Sequence, residues 1–432
     1  MPPPLPYDAM RSVWTDTAAP AMATAPLAGH ADCDVAIVGA GITGLSAALH
    51  LAERGLRACV LEARDPGWGA SGRNGGQVIP GIKHDPDEIL ARHGRERGEP
   101  LLHMVGTAAD TVFDLIDRYG LDCHPVRRGW IQPAHSRQAL DAVLARARQW
   151  RARGADVAEL DAGEVARRLG TERFLGGWID RRAGSIQPLR YTRGLLRAAL
   201  SLGVAVHGQS PVVALVVALQ REGSRWLVRC AQGASVRAEH VLIATNAYTD
   251  DLWPGLRRTV IAANSFIVAT GPLDPALAPA ILPGGEVASD SRRLLLYFRR
   301  DADRRFILGG RGRFADPVSD ADWNHLVRGA RLLYPQLADT PFVHRWSGRV
   351  ALTRDFVPHV HQPSPNLRIV LGYNGRGVAL ATQMGNYLAR EIGGGEPLPY
   401  PVTPIAPIPL HGLKRLYIGL AVAYYGLCDR IS

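Results

Sequence analysis

The chain has 432 residues, which is more than one ordinary hydrophobic core accommodates, so its length favours two domains. With 47% hydrophobic and 21% charged residues, it has the composition of a globular protein and not of a disordered one. Its formal net charge of +10 comes almost entirely from arginines scattered along the chain. Because they form no basic runs with interleaved aromatic residues, no nucleic-acid partner is predicted.

The five cysteines are an odd number, widely spaced and without a Cys-x-x-Cys pair, which indicates neither a zinc site nor a disulfide shuttle. We therefore expect a cytoplasmic protein without a metal. The first residues lack the pattern of a signal peptide, and the apolar stretch 417–428 is shorter than the roughly 20 residues of a membrane helix. The segment 413–431 has three open interpretations: a helix docked on the body, a dimer contact, or a helix that associates peripherally with a membrane.

Residues 1–30 are rich in proline and alanine and show no periodicity, which predicts an extended N-terminal arm. The stretch 33–64 then gives a continuous apolar strand, a glycine turn, a helix and a second strand that ends in Glu62. This order predicts a βαβ unit.

The rest of the chain alternates between helical and strand-like patterns. Helices are predicted at 85–119, 136–170 and 320–333, and strands near 121–134 and at 211–219, 225–230, 240–245, 258–270, 293–299 and 304–311. Residues 186–208 restart the α/β pattern, and residues 367–392 close it with a strand, a glycine turn and a helix. Because the α/β pattern is interrupted twice and resumes twice along the chain, we predict an α/β protein of two domains, each built from several segments.

Gly39, Gly41 and Gly44 form the pattern G-x-G-x-x-G between the first predicted strand and helix. In this motif the first glycine permits a tight turn, the second lets a pyrophosphate approach the backbone, and the third lets helix and strand pack closely. Glu62 ends the next strand, where a carboxylate accepts hydrogen bonds from ribose hydroxyls and disfavours a 2′-phosphate. The sequence therefore predicts a dinucleotide site that does not take NADP.

A second glycine-rich stretch, GWGASGRNGG at 67–76, begins five residues after Glu62. An extended FAD molecule needs backbone contacts beyond the first βαβ unit, and the glycines with Ser71, Asn74 and Gln77 are suited to supply them. A nicotinamide-dependent dehydrogenase is an alternative that explains the first motif but leaves 67–77 and 371–378 without a role. FAD is therefore the predicted cofactor.

The stretches DVAIVGAGITGLSAALHLAERG, LEAR and GASGRNGGQ resemble the D-amino-acid oxidase (DAO) superfamily of FAD-dependent amine oxidoreductases. Among its branches, the chain is most similar to the one containing gamma-glutamylputrescine oxidase. AGSIQPLRYTRGL, RWSGRVALTRDFVPHV and LGYNGRGVALATQMG extend the resemblance over nearly the whole chain. It implies a Rossmann-like FAD-binding domain of the glutathione-reductase type, interleaved with a smaller α+β substrate domain on an antiparallel sheet.

The resemblance also implies the residues that contact the cofactor. They are Gly39, Gly41, Gly44, Glu62, Arg64, Ser71, Gly72, Arg73, Asn74, Gly75, Gly76, Gln77, Val212, Thr245, Asn246, Gly372, Asn374, Gly375, Arg376, Gly377 and Val378. A glycine turn that opens a helix, as at Gly372–Val378, aims N–H groups at the flavin carbonyl region that gains charge on reduction. The cysteine or histidine through which several relatives attach FAD is absent, so non-covalent FAD is expected. Many relatives have histidine in place of Arg376.

The implied domains divide the chain into discontinuous parts. The predicted FAD-binding domain comprises 31–85, 189–255 and 345–392, the predicted substrate domain comprises 86–188 and 256–344, and a terminal segment with a helix follows at 393–432.

The implied activity is oxidation of a C–N bond in an amine or amino acid by hydride transfer to flavin N5, giving an imine that hydrolyses. A gamma-glutamylputrescine-like or other N-substituted amine is the expected substrate, with a D-amino-acid or glycine/sarcosine-type dehydrogenase as the alternative. Arg349 is a candidate clamp for a substrate carboxylate, and Tyr373 is a candidate wall of the amine pocket. The electron acceptor, oxygen or a quinone-linked carrier, and the oligomeric state stay open.

Overall fold

The structure is a computed structural model that describes residues 12–220, 223–312, 314 and 316–431. Residues 1–11 of the predicted N-terminal arm and residue 432 of the predicted terminal segment lie outside the described residues.

Ten α-helices are assigned within these described ranges. In chain order they are α1 (Val13–Thr17), α2 (Ile42–Ala52), α3 (Pro86–Gly106), α4 (Ala108–Tyr119), α5 (Arg137–Arg151), α6 (Ala162–Leu169), α7 (Pro188–Ser201), α8 (Asn324–Leu333), α9 (Gly377–Gly394) and α10 (Lys414–Ile431).

Eighteen strands are assigned in the same part of the chain. They are β1 (His30–Val38), β2 (Ala58–Leu61), β3 (Gln77–Val78), β4 (Trp130–Pro133), β5 (Val157–Asp161), β6 (Gly176–Asp180), β7 (Gly184–Ser185), β8 (Ala205–His207), β9 (Val212–Gln220), β10 (Gly223–Cys230), β11 (Ser235–Ile243), β12 (Ile261–Pro272), β13 (Val287–Ser289), β14 (Tyr297–Arg300), β15 (Arg305–Arg311), β16 (Phe342–Leu352), β17 (His359–Ser364) and β18 (Leu367–Leu371).

The first sheet has β1 near its centre and the strand order β17-β18-β11-β1-β2-β8, with the β9–β10 hairpin attached to β11. The strands from β18 to β8 run parallel, and only β17, β9 and β10 are antiparallel to their neighbours. Val35, Ala36 and Ile37 are fully buried because helices cover one face of β1 and the β9–β10 hairpin region covers the other. A continuous apolar run is the expected sequence of such a two-sided buried strand.

The second sheet has the order β16-β12-β15-β14-β13-β4-β6-β5. All its pairs are antiparallel except β13 with β4. Helices α6 and α8 pack on one face, over a core that contains Phe266, Phe298 and Tyr334. The predicted fold class, a Rossmann-like α/β part interleaved with a mixed part on a largely antiparallel sheet, is confirmed.

The predicted helix at 136–170 is wrong in its middle. Helix α5 ends at Arg151, the chain turns at Gly154 with φ +77°, and Val157–Asp161 pairs with β6 before α6 begins. The predicted strands near 121–134 reduce to β4 and one isolated bridge at Val126. Tertiary pairing with β6 overrides the local helical pattern of 157–161.

The segments assigned to the two predicted domains follow the two sheets for most of the chain. Strand β16 is the exception, because it pairs with β12 along its whole length in the second sheet, and the predicted boundary at residue 345 falls inside it. The domain limits therefore stay a prediction.

The described part of the chain contains no helix long and apolar enough to cross a membrane. On α10 the side chains of Leu416, Leu420 and Tyr424 are largely exposed. Four cysteines, Cys33, Cys59, Cys123 and Cys230, are buried and free.

Candidate cofactor and substrate site

The turn between β1 and α2 brings helix and strand into close contact. Gly39 has φ +108°, a conformation that favours glycine. A Cβ on Gly44 would lie 2.0 Å from the Gly39 carbonyl oxygen, so only glycine fits there. Gly41 is the N-cap of α2 and has no side chain to cap the helix, which leaves first-turn N–H groups of α2 available to an anion.

Glu62 directly follows β2 and reaches back to the glycine turn. Its carboxylate accepts hydrogen bonds from the N–H of Ala40 and the N–H of Arg64, each at 2.9 Å. Burial raises the pKa of Glu62, although these N–H donors oppose the shift. The N–H of Ser210 donates to the Glu62 carbonyl at 2.7 Å, which sets Val212, at the start of β9, near the same turn.

The glycine-rich loop 67–77 lies beside this turn. The N–H of Gly67 donates to the carbonyl of Ala40 at 3.0 Å, and the N–H of Ile42 donates to Ser71 Oγ at 2.9 Å. A Cβ on Gly72 would lie 2.3 Å from the Gly67 carbonyl oxygen, so the loop folds tightly on itself. The two predicted glycine segments are therefore joined directly.

Two tryptophans from distant parts of the chain hold the far end of the loop. Trp14 Nε1 donates to the carbonyl of Asn74 at 2.8 Å, and Trp346 Nε1 donates to the carbonyl of Arg73 at 2.9 Å. The two indole rings meet edge to face at 5.7 Å. The Asn74 side chain in turn accepts the N–H of Gly76 at 2.8 Å, which fixes the last bend of the loop.

The end of the loop is also tied to the second sheet. Gln77 Nε2 donates to the Ala288 carbonyl, and Ser289 Oγ donates to Gln77 Oε1, both at 2.9 Å. Gly75 packs against the Tyr297 ring, and a Cβ on Gly76 would lie 2.2 Å from the Ile186 carbonyl oxygen.

The third segment, 372–378, lies between β18 and α9. The N–H of Gly372 donates to Asn246 Oδ1 at 2.9 Å, which connects it to the turn after β11 that also holds Thr245. The Asn374 side chain bonds to Thr353, the N–H of which donates to Asn374 Oδ1 at 3.0 Å. Gly375 has φ +87° and faces open space, since a Cβ there would meet no atom within 4 Å. Helix α9 then begins at Gly377, followed by the buried Val378.

The three glycine segments thus meet at the carboxyl edge of the parallel strands β1, β11 and β18. Ala244, which follows β11, lies against Gly39, where a Cβ would be 3.1 Å from the Ala244 carbonyl oxygen. Ligands of open parallel sheets bind at this edge.

The residues at this edge fit FAD. Arg73 Nη1 and the Tyr248 hydroxyl are buried and have no hydrogen-bond partner among the described residues. Burial lowers the pKa of Arg73. Buried polar groups without partners are rare, so these atoms indicate a polar or anionic ligand at the loop. The Arg64 and Arg73 guanidinium groups stack over Trp68 at 4.8 and 4.5 Å from its ring centre, which adds positive charge beside the same loop.

Tyr373 belongs to the segment 372–378, and its side chain lies inside the protein against α2. Its side chain is buried, and its hydroxyl pairs with Thr43 Oγ1 at 2.8 Å. Burial raises the pKa of Tyr373. This placement is that of a packed aromatic residue, and it lends no support to the predicted role at an amine.

Arg349 lies on β16, opposite Asn264 of β12. Its guanidinium contacts the carboxylate of Asp316 at 3.2 Å and lies 5.7 Å from the Tyr248 ring centre. The predicted carboxylate clamp therefore has an internal carboxylate partner, and a substrate carboxylate would have to compete with Asp316.

Sequence reasoning missed three residues that shape this edge: Trp346, Tyr248 and Asp316. Trp346 lies in the motif RWSGRVALTRDFVPHV, and Tyr248 lies two residues after Asn246. Both residues could therefore have been proposed from the sequence. No sequence pattern indicated Asp316, because its contact with Arg349 depends on how the chain after β15 returns to the sheet.

Comparison with known proteins agrees with this geometry. Residues 34–391 match the model of the DAO family, described as FAD dependent oxidoreductase. The chain is 31% identical to gamma-glutamylputrescine oxidoreductase of Escherichia coli (strain K12), over 93% of each chain.

Solved structures share the fold. The crystal structure of glycine oxidase from Geobacillus kaustophilus has a TM-score of 0.70 at 22% identity, covering 88% of this chain and 99% of the other. L-proline dehydrogenase from P. horikoshii has a TM-score of 0.72 at 16% identity, covering 85% and 96%. FAD is thus the cofactor, and the nicotinamide alternative is wrong. The chain belongs to the DAO family of FAD-dependent oxidoreductases.

Proposed function

We propose that this enzyme oxidises a C–N bond of an N-substituted amine or amino acid, with gamma-glutamylputrescine-like amines as the leading substrate class. The observation that carries the proposal is the meeting of the three glycine segments at one sheet edge, where Arg73 Nη1 has no hydrogen-bond partner within the part of the chain that the structure describes. Similarity to an oxidoreductase named for gamma-glutamylputrescine, over 93% of both chains, supports the substrate class.

Some residues of this chain would bind the cofactor, and others would orient the substrate. The start of α2, whose N-cap Gly41 has no side chain, would hold the pyrophosphate, and Glu62 would accept hydrogen bonds from the ribose hydroxyls. Arg73 and the start of α9 would stabilise negative charge at the flavin end. When bound, FAD supplies the acceptor for the hydride that leaves the carbon bearing the nitrogen. The second sheet would then position the amine against that acceptor.

The test is anaerobic bleaching of the flavin band in the purified holoenzyme. The panel contains gamma-glutamylputrescine, putrescine, N-methylglycine, glycine and several D-amino acids, and we expect rapid bleaching with gamma-glutamyl amines. Recovery of the band on readmission of air would identify oxygen as the acceptor, and no recovery would indicate a quinone-type acceptor. Bleaching by D-amino acids or glycine alone would overturn the substrate class, and a purified chain that takes up no FAD would overturn the proposal entirely.

A further inference from the structure

Helix α10 and the turn that precedes it present a row of leucines to solvent, which we call the leucine stripe. Leu413, Leu416 and Leu420 are spaced three and four residues apart, which places them on one face of the helix. They are 55%, 64% and 65% exposed. Single exposed leucines are ordinary in proteins, whereas a row of them along one face marks an interaction surface.

The helix is attached to the rest of the protein along a different face. Tyr417 and Ile418 are partly buried, in contrast to their leucine neighbours. At the start of the helix, His411 Nε2 lies 3.0 Å from the Val260 carbonyl oxygen. The leucine stripe is therefore exposed on a helix that the protein holds in place.

Positively charged side chains gather beside the start of α10. This cationic cluster comprises Arg257, Arg258, Lys414 and Arg415. The N–H of Ile408 donates to the Arg258 carbonyl at 2.8 Å, and Lys414 Nζ lies 3.2 Å from His411 Nε2, so the two segments that supply the cluster are in contact. Burial lowers the pKa of Lys414, and the nearby charges of Arg257 and Arg415 add to this shift.

Little negative charge balances this cluster. Asp251 contacts Arg257 at 3.2 Å, whereas Arg258 and Arg415 pair with no carboxylate in the part of the chain that the structure describes. Residues 410–424 include no aspartate and no glutamate. An apolar row beside uncompensated positive charge is complementary to a surface that is negatively charged outside and apolar just beneath, which is the chemistry of an anionic lipid layer.

We propose that α10 docks this enzyme on the surface of an anionic phospholipid bilayer. The leucine stripe enters the boundary between headgroups and acyl chains, and the cationic cluster contacts the lipid phosphates. The helix lies in the plane of the surface, because its exposed leucines occupy one face along its length. This inference concerns where the enzyme binds and is independent of which amine it oxidises.

A second copy of the chain fits this surface less well. A twofold contact between identical subunits must be complementary to itself, and the cationic cluster carries almost only one sign of charge. Two copies would therefore bring like charges together. Leucines placed one per turn also need no matching groove when they enter a fluid lipid layer, whereas a protein partner would have to supply one.

The experiment is co-sedimentation of the purified holoenzyme with lipid vesicles. One set of vesicles contains phosphatidylcholine alone, and the other contains phosphatidylcholine and phosphatidylglycerol in equal amounts. We expect the holoenzyme to bind the anionic vesicles at least about tenfold more tightly than the neutral ones, because each cation near the surface adds to the attraction. Binding should weaken as salt is added, since salt screens that attraction.

Substitutions at two adjacent positions of α10 separate the two parts of the surface. Leu416→Gln should lower the vesicle partition coefficient about tenfold, because one leucine no longer enters the apolar layer. Arg415→Gln should lower it about fivefold. The matched controls are Leu332→Gln and Arg331→Gln on α8, since Leu332 is 64% exposed, like Leu416, and also follows an exposed arginine. Both controls should bind vesicles as the wild type does.

Three results would overturn the inference. The first is no binding to anionic vesicles at low salt, and the second is equal loss of binding in the α10 and α8 variants, which would indicate attraction to the net charge of +10 alone. The third is self-association without vesicles, measured by sedimentation equilibrium, that Leu416→Gln weakens while vesicle binding is absent, which would assign the leucine stripe to a second copy. None of these measurements uses amine oxidation, so failure here is distinguishable from failure of the proposed function.

Discussion

Burial of the Glu62 carboxyl makes the stability of the folded protein depend on pH. Its pKa is raised in the folded protein by burial, so the stabilisation that it contributes is complete below its unfolded pKa and is lost as pH rises through its folded pKa. In FAD-free protein we expect the non-titrating variant Glu62→Gln to gain unfolding free energy relative to wild type as pH rises, by about 1.4 kcal/mol per pH unit between the two pKa values. Urea unfolding across this pH range measures it.

Glu239→Gln is the control, since Glu239 is largely exposed. Parallel stability curves for wild type and Glu62→Gln would contradict the expectation. The same variant should bind FAD more weakly, because an amide offers one acceptor where the carboxylate offers two.

At the scale of elements, the loop 67–77 depends on helix α1 for its position. Trp14, which is buried in α1, donates its indole N–H to the loop at Asn74. We expect Trp14→Phe, which keeps an aromatic ring but removes that donor, to lower the free energy of unfolding by about 1–3 kcal/mol and to weaken FAD retention. Urea unfolding and the flavin-to-protein absorbance ratio after gel filtration measure the two effects.

Trp253→Phe is the matched control, because Trp253 packs edge to face against Trp226, and no hydrogen bond or ring contact between described residues joins it to the loop 67–77. If Trp14→Phe lost stability but kept its full flavin content, the loop would not need α1 for cofactor binding.

Features of the fold and of the candidate site could be predicted from the sequence where their physical cause lies within one local unit of the chain. Gly44 could be predicted, because the clash that excludes a side chain arises within a single βαβ unit. The strand Val157–Asp161 could not be predicted, because its conformation depends on pairing with β6, whose residues lie fifteen or more positions further along the chain. Likewise, no residue near Arg349 in the sequence indicated that Asp316 would pair with it. Charge balance is set by tertiary structure, which local patterns do not contain.

At the scale of the whole molecule, the loop 67–77 bonds to both sheets. Ser71 accepts the N–H of Ile42 beside the first sheet, while Trp346 and Ala288 bind the loop from the second. A single buried core also runs between the sheets, from residues such as Val35 of β1 to Trp130 of β4. The two sheets are therefore expected to behave as one cooperative unit, although each is built from separate segments.

We expect heat to release the flavin and unfold both sheets in one transition, because the cofactor edge is formed by elements of both. Far-UV circular dichroism, tryptophan fluorescence and the rise of free-flavin fluorescence should give coincident melting curves. Added FAD should raise the melting temperature by mass action, with a stabilisation of about 2.7 kcal/mol at a concentration 100 times its dissociation constant. Flavin release well below the unfolding of either sheet would show instead that the loop opens locally, and that its bonds to the two sheets contribute little to their cooperativity.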